Sequence, residues 1–213
     1  MANGFVQIQR RFEARSRWGD IAKHISDGND GYLSVKDEIH FELKNGAPAV
    51  VQVADLGVYI PNSVVFAFKD IPERYVMNDE ATNRGGWEAC KMRKHMNGDF
   101  FELLPDDLQE VIKTRTIKQM LDGRLVTCED KLWAMSHKEI FGVDWQTDVD
   151  DVHLELFKDR RNRIKFFDGN PAIWWGRSPC YTNGDGFCIV NTNGSAYYSY
   201  ASSSYGVAPA FII

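Results

Sequence analysis

Ser195-Ala196-Tyr197-Tyr198-Ser199-Tyr200-Ala201-Ser202-Ser203-Ser204-Tyr205 runs directly into Gly206-Val207-Ala208-Pro209-Ala210-Phe211-Ile212-Ile213. The first stretch is phenol and hydroxyl; the second is apolar and reads as a buried strand that pins the first on a rigid support. Working outward, Ser178 to Ile213 contains one charged residue, Asp185, in a chain that is 26% charged. Five of its 8 tyrosines fall there: Tyr181, Tyr197, Tyr198, Tyr200 and Tyr205. Tyrosine offers a large amphipathic contact for only two side-chain torsions, and Ser, Gly and Asn add adaptable hydrogen bonds. Missing charge lowers the desolvation cost when a partner covers such a surface. The plainer reading is a solvated low-complexity loop or an aromatic sheet face.

Two more strands precede the apolar end, Phe187 to Val190 and Ala196 to Ala201, with Asn193-Gly194 turning the hairpin. Trp174-Trp175-Gly176-Arg177-Ser178-Pro179 leads into them. Adjacent strand residues face opposite sides, so at most one of Trp174 and Trp175 can point at a ligand. The commoner fate is one in the core and one under a loop. Arg177, beside strands poor in charge, reads as a structural ion pair or hydrogen-bond fork.

Upstream, a helix is predicted over 17–25, with Trp18, Ile21, Ala22 and Ile25 on one face, Ser16 as N-cap and Gly28 as stop. Ile39 to Leu43 and Ala49 to Ala54 flank Asn45-Gly46, a hairpin signal in which both turn residues want positive φ. Val64 to Phe68 reads as a buried strand. Trp87 to Met96 and Phe100 to Lys113 read as helices, the second restarting at Pro105. Leu132 to Met135 is a short strand, Ser136 to Glu139 has capping-box spacing, and Gly142 closes the short helix that follows. Val149 to Lys158 is predicted helical.

The whole chain has 213 residues, is 44% hydrophobic and carries a net charge of −5. That is a globular balance, not a disordered one, and it disfavours a general nucleic-acid binder. No apolar run approaches about 18 residues, the length of a membrane-spanning helix. Met1 to Arg11 lacks the apolar centre of a secretory signal, so synthesis in a cytoplasm is expected. Four cysteines are too few for a disulfide scaffold.

Candidate chemistry is sparse. Cys180 and Cys188 could form a redox pair, which needs two close thiols with one readily ionised; a buried inert pair is the usual alternative. His24, His40, His95, His137 and His153 are dispersed without zinc spacing. Asp148, Asp150 and Asp151 lack the glycine and glutamate of a calcium loop and read better as an acidic helix start. Arg84-Gly85-Gly86 could cradle an anion, but a tight turn docking Trp87 is preferred. Lys158 to Arg163 is basic and reads as a solvated helix end.

Asn83-Arg84-Gly85-Gly86-Trp87, Met92-Arg93, Leu104-Pro105, Leu132 to Ser136 with Glu139 and Gly142, Trp174 to Pro179, and Gly206 to Phe211 occur in this order. Together, over roughly Trp18 to Ile213, they resemble the bacterial and phage family called domain of unknown function 6273. That family looks related to the C-type lectin-like fold shared by formylglycine-generating enzymes and the variable proteins of diversity-generating retroelements. The resemblance implies a binding face built from the C-terminal segment. The Gly-Phe-Arg ending of the wider fold is replaced by Gly206-Val207-Ala208-Pro209, so the site would differ in detail.

The expectation is one α+β domain over 1–213, C-type lectin-like, with mixed and antiparallel strands and several helices; residues 1–16 form a flexible or interacting N-terminal segment. The expected function is non-catalytic binding of a protein or glycan receptor, in a phage virion, a bacterial cytoplasm or a cell surface. No metal, cofactor, nucleic acid or membrane insertion is expected, and an oligomer is compatible with this reading. Tyr197, Tyr198, Tyr200 and Tyr205 would be anchors and Ser202, Ser203 and Ser204 adjustable contacts, with Tyr181 and Asn183 extending the face. The alternatives are a thiol- or copper-dependent oxidase of the formylglycine-generating kind and a structural virion component.

Overall fold

The computed structural model describes residues 11–13, 18–29, 31–145 and 147–213, with backbone alone for 11–13. Strands dominate, in antiparallel and mixed sheets, with several short helices. Helix α1 (Trp18–Ser26) buries Trp18, Ile21 and Ile25 on one face. The Trp18 ring meets Phe41, Phe66 and Phe211 edge-on, with centroids 5.5–6.3 Å apart. Its amide donates to Asp107 Oδ2 at 3.1 Å, so a side chain from a distant helix satisfies one of the free N–H groups at this end. The expected N-cap Ser16 and the 1–16 segment, apart from the backbone of 11–13, lie outside the described residues.

The first sheet runs β1 (Arg11–Glu13), β2 (Glu38–Glu42), β3 (Pro48–Leu56), β4 (Val64–Phe68) and, at its far edge, β15 (Ala210–Ile212). Every residue of β4 and β15 is buried. At β2–β3 only Gly46 has positive φ, and the expectation for Asn45 fails. Leu43 N–H donates to Ala47 O and Gly46 N–H to Leu43 O, so the loop has one more residue than a two-residue turn. Glycine alone then takes the left-handed position.

The second sheet is ordered β13 (Ala196–Tyr200), β12 (Gly186–Val190), β11 (Trp174–Pro179), β14 (Ser204–Val207) and β5 (Glu73–Val76). Val207 to Ile213 is therefore not one strand. It leaves the second sheet at Val207 and enters the first at Ala210, because Pro209 cannot donate to a ladder. This crossing ties the tyrosine segment to the centre of the hydrophobic core.

Smaller sheets comprise β6 (Arg115–Leu121), β7 (Arg124–Asp130) and β8 (Asp148–Val149), and the pair β9 (Lys165–Phe167) and β10 (Asn170–Ala172). The helix predicted over Trp87 to Met96 is broken. It becomes α2 (Gly86–Ala89) and α3 (Lys91–His95), separated by extended Cys90, and a π-helical turn at Met96–Phe100 follows. Phe100 to Lys113 is helical at 101–102 and restarts as expected at Pro105, which caps α4 (Asp106–Val111). Leu132 to Met135 is buried but forms no full strand: Trp133 bridges Ala210, and the Met135 carbonyl accepts from Arg177 N–H at 3.0 Å. The capping box forms as expected: Ser136 starts α5 (His137–Phe141), and Gly142 ends it in the left-handed conformation. Val149 to Lys158 is not a helix; β8 is followed by a short 3-10 turn at Glu155–Lys158. A second 3-10 turn, Arg160–Arg163, replaces the helix end expected there.

Candidate functional site: a tyrosine-bearing sheet edge

β12 and β13 form a hairpin around Asn193-Gly194. Gly194 has φ of 76°, and a Cβ there would stand 2.8 Å from the Arg160 carbonyl. Arg160 Nε also donates to the Asn193 carbonyl at 2.8 Å, so this turn is seated on the second 3-10 turn. β12 is buried along its whole length, with Phe187 and Ile189 on one face and Cys188 and Val190 on the other. It gives β13 a stiff backing.

The strand's period of two divides the tyrosines. In register, Tyr197 lies opposite Ile189 and Ser199 opposite Phe187, while Tyr198 and Tyr200 lie opposite Cys188 and Gly186. Tyr197 and Ser199 thus share one sheet face, and Tyr198 and Tyr200 the other. The expected single patch is in fact two faces wrapped around one edge. Tyr197 is 59% exposed, Tyr200 57% and Tyr181 60%; Tyr198 and Tyr205 are half-buried. The Tyr197 and Tyr198 rings stack at 5.2 Å. Ser202 and Ser204 are exposed, and half-buried Ser203 donates its amide to the Tyr200 carbonyl.

Tyr205 is a bridge rather than a free anchor. Its ring meets fully buried Trp175 edge-on at 5.2 Å, and its hydroxyl accepts from Ser199 Oγ at 3.3 Å. It pairs in register with Tyr75 on β5, which stacks on His95 at 4.0 Å. A hydrogen bond to Glu73 pushes the His95 imidazole up from its ordinary value. Tyr75 and His95 extend this face, but reading the sequence locally could not find them, because β5 joins β14 across more than 120 residues. The loop of Tyr181 and Asn183 is tied down by Asn83, whose Nδ2 reaches the Cys180, Asn183 and Gly186 carbonyls at 2.9–3.0 Å. Asn183 itself is half-buried.

A second arrangement lies beneath β11, and it bears out the structural fork expected of Arg177 while adding partners that the sequence did not show. Arg177 is fully buried and forks to Glu139 and Asp151. Arg115 reaches the other oxygens of the same carboxylates at 2.7 and 2.6 Å. Tyr59 Oη and Ser136 N–H each add a bond of 2.7 Å to Glu139. The Arg115 guanidinium lies 3.6 Å from the Tyr59 ring centroid and 4.6 Å from that of Trp133. Despite full burial, the two guanidiniums and these donors hold Glu139 down at about 2. Asp151 is pushed up by burial, against the pull of Arg177, with Glu139 repelling it. Asp148, bonded to Ser178 Oγ at 2.6 Å, is pushed up to about 6, also by burial. Asp148 and Asp151 are therefore core partners of arginine and serine, not the acidic helix start expected for them. Every oxygen of the Glu139–Asp151 pair has a cation beside it, which is the condition for keeping ions in a core. The arrangement ties β6, α5, β11 and the 148–151 segment together.

The remaining candidates are structural. Trp174 and Trp175 are both fully buried, donating to the Arg163 and Tyr75 carbonyls. Gly85 and Gly86 make the turn that docks Trp87, whose indole donates to Asp130 at 2.7 Å. Cys180 and Cys188 are buried free thiols, and burial pushes Cys188 far above its ordinary value, the opposite of a poised nucleophile. In the basic run, Arg161 pairs with Asp159, and Arg163 Nε donates to the Phe157 carbonyl. Among the described residues, no three His, Cys, Asp or Glu side chains form a group able to hold a metal ion, and no helix is long and apolar enough to cross a membrane.

No curated protein and no solved structure matches the chain. One family model does, over residues 61–213, and that span takes in every motif from Asn83 to Phe211, along with the buried arginine fork and the tyrosine edge. The chain therefore belongs to the family described as Domain of unknown function (DUF6273).

Proposed function

We propose that the protein is a non-catalytic binding module that grips a protein or glycan receptor through the tyrosine side chains on the faces of β13 and the loops beside it. One observation carries the reading: on an uncharged strand backed by a fully buried one, Tyr197 and Tyr200 each keep more than half of their surface in water. Tyrosine is enriched at interfaces, where its ring is covered and its hydroxyl stays hydrogen-bonded, and rigid backing lowers the ordering cost of binding. Tyr181, held near by the Asn83 clamp, widens the surface, and Ser202 and Ser204 supply hydroxyls at its end.

In this reading the fold is a C-type lectin-like variant, and the setting is a phage or a bacterium. The C-terminal segment is then of the kind that a diversity-generating retroelement varies. Support for that last step is compositional, namely the alternation of Tyr and Ser from Ser195 to Tyr205. The thiol oxidase reading draws less support, since neither Cys180 nor Cys188 is exposed.

The test uses a printed glycan array and a panel of whole bacterial cells as probes. The wild-type chain is compared with a variant carrying Tyr181→Ala, Tyr197→Ala and Tyr200→Ala. Binding should be lost while the thermal midpoint stays within a few degrees, because exposed rings contribute little to folding. A parallel collapse of the melt, or binding that survives the triple substitution, would refute the assignment.

A further inference from the structure

The outer side of β13 carries an unusual feature for a sheet edge. β12 pairs with its inner side, and no described strand pairs with its outer side. The parity of the ladder is set at both ends. Asn191 N–H donates to Ser195 O, and Ala201 N–H donates to Asp185 O, each at 2.9 Å. Hydrogen-bonded and non-bonded pairs alternate in an antiparallel ladder. Tyr197 and Ser199 therefore turn their backbone groups toward β12, and Ala196, Tyr198 and Tyr200 turn theirs outward. The Tyr200 carbonyl accepts from Ser203 N–H with one of its two lone pairs, leaving the other; the Ala196 and Tyr198 groups meet no described strand.

Natural proteins blunt such edges with charge, proline, bulges or cover. Four other described edge strands carry such features: β5 has Glu73, β7 has Glu129, β10 has Pro171, and β15 is bridged by Lys113 and Trp133. β13 has no charge, no proline and no bulge. Its sequence is Ala-Tyr-Tyr-Ser-Tyr, paired to β12 at every residue without a bulge.

We propose that this edge receives a second copy of the chain, β13 against β13, antiparallel about a two-fold axis through Tyr198. Two features select that occupant. The outward groups are symmetric about Tyr198, so Tyr198 bonds to its own counterpart while Ala196 bonds to Tyr200 of the second copy. In the same register the side chains match in size: Ala196 meets Tyr200, and Tyr197 meets Ser199, so those large rings face small side chains. With no charged residue on the strand, no like charges meet across the axis. The two sheets become continuous, and the Tyr197 and Ser199 faces of both copies form one surface. This assembly is independent of what that surface binds.

Sedimentation of the full chain at tens of micromolar should give twice the 24.3 kDa of one chain. Tyr198→Lys puts two ammonium groups face to face and Tyr198→Glu two carboxylates. Each variant alone should sediment as one chain, and an equimolar mixture should return to the doubled mass. Hydrogen exchange on the unmodified protein gives a readout that needs no variant: the Ala196 and Tyr198 amides should be protected in concentrated samples and lose protection on dilution. A wild-type monomer, a variant that stays dimeric, a mixture that stays monomeric, or exchange at Tyr198 that ignores concentration would each overturn the proposal.

Discussion

Replacing Arg177 with methionine removes a fully buried guanidinium while keeping much of the side-chain volume. Three bonds go with it: the fork to Glu139 and Asp151, and the 3.1 Å bond to the Ala134 carbonyl. Deleting one member of a buried charge group costs about 3–5 kcal/mol, because the charges left behind remain desolvated. Arg115 still holds one oxygen of each carboxylate, which keeps the loss toward the lower end. For a chain of this length each kcal/mol moves the thermal midpoint by ~2–4 °C, so a fall of roughly 6–20 °C is expected. The deficit should depend on pH. With one cation gone, Asp151, already pushed up by burial, takes a proton more readily in the folded state. Its protonation relieves the imbalance in acid, so the deficit should be larger at about pH 8 than at about pH 5. Lysine at this position should recover only part of the loss, since a point charge cannot fork to two carboxylates. Circular-dichroism melts of the three proteins across pH decide the matter. A methionine variant melting within ~2 °C of wild type at neutral pH would show that the arrangement is not what holds β6, α5 and β11 together.

Asp148→Asn should change the pH profile of stability rather than the fold. Burial raises this carboxyl from 3.8 to about 6. The native state therefore keeps a proton that the unfolded chain releases earlier, and the stability this provides is lost as pH rises through about 6. The effect is at most about 3 kcal/mol. Urea midpoints measured from pH 3 to pH 8 should fall less steeply over that window for the variant, and parallel curves would contradict the reasoning. Gly194→Ala should cost about 1–3 kcal/mol, since alanine at φ of 76° is strained and its Cβ presses on the Arg160 carbonyl. An unchanged melting midpoint would mean that the hairpin turn is not seated there.

Several elements were legible because their causes are local. The Ser136 capping box, the α1 face, the Val64 to Phe68 strand and both hairpins follow from residues a few positions apart. The failures have equally specific causes. Trp87 to Met96 has helical spacing, but Cys90 is extended and its sulfur accepts the Arg93 amide. Val149 to Lys158 is not helical because its start is tied into the core, Asp151 by Arg115 and Arg177 and neighbouring Asp148 by Ser178 Oγ. The tyrosine run was visible as composition. Its division into two faces required only the period of a strand, but its edge position required knowing which strand stays unpaired.

By itself the amino-acid sequence determined the uncharged tyrosine-and-serine segment, the apolar terminus after it and the turn residues between them, since these depend on neighbours along the chain. Only the tertiary structure decided that Glu139 meets Arg115 and Arg177, 24 and 38 residues away, and that Tyr75 joins Tyr205. The reason is physical. A buried charge or a strand edge takes its partner from whatever the closed core brings within a few ångströms, and that depends on how all the layers pack, not on spacing in the chain.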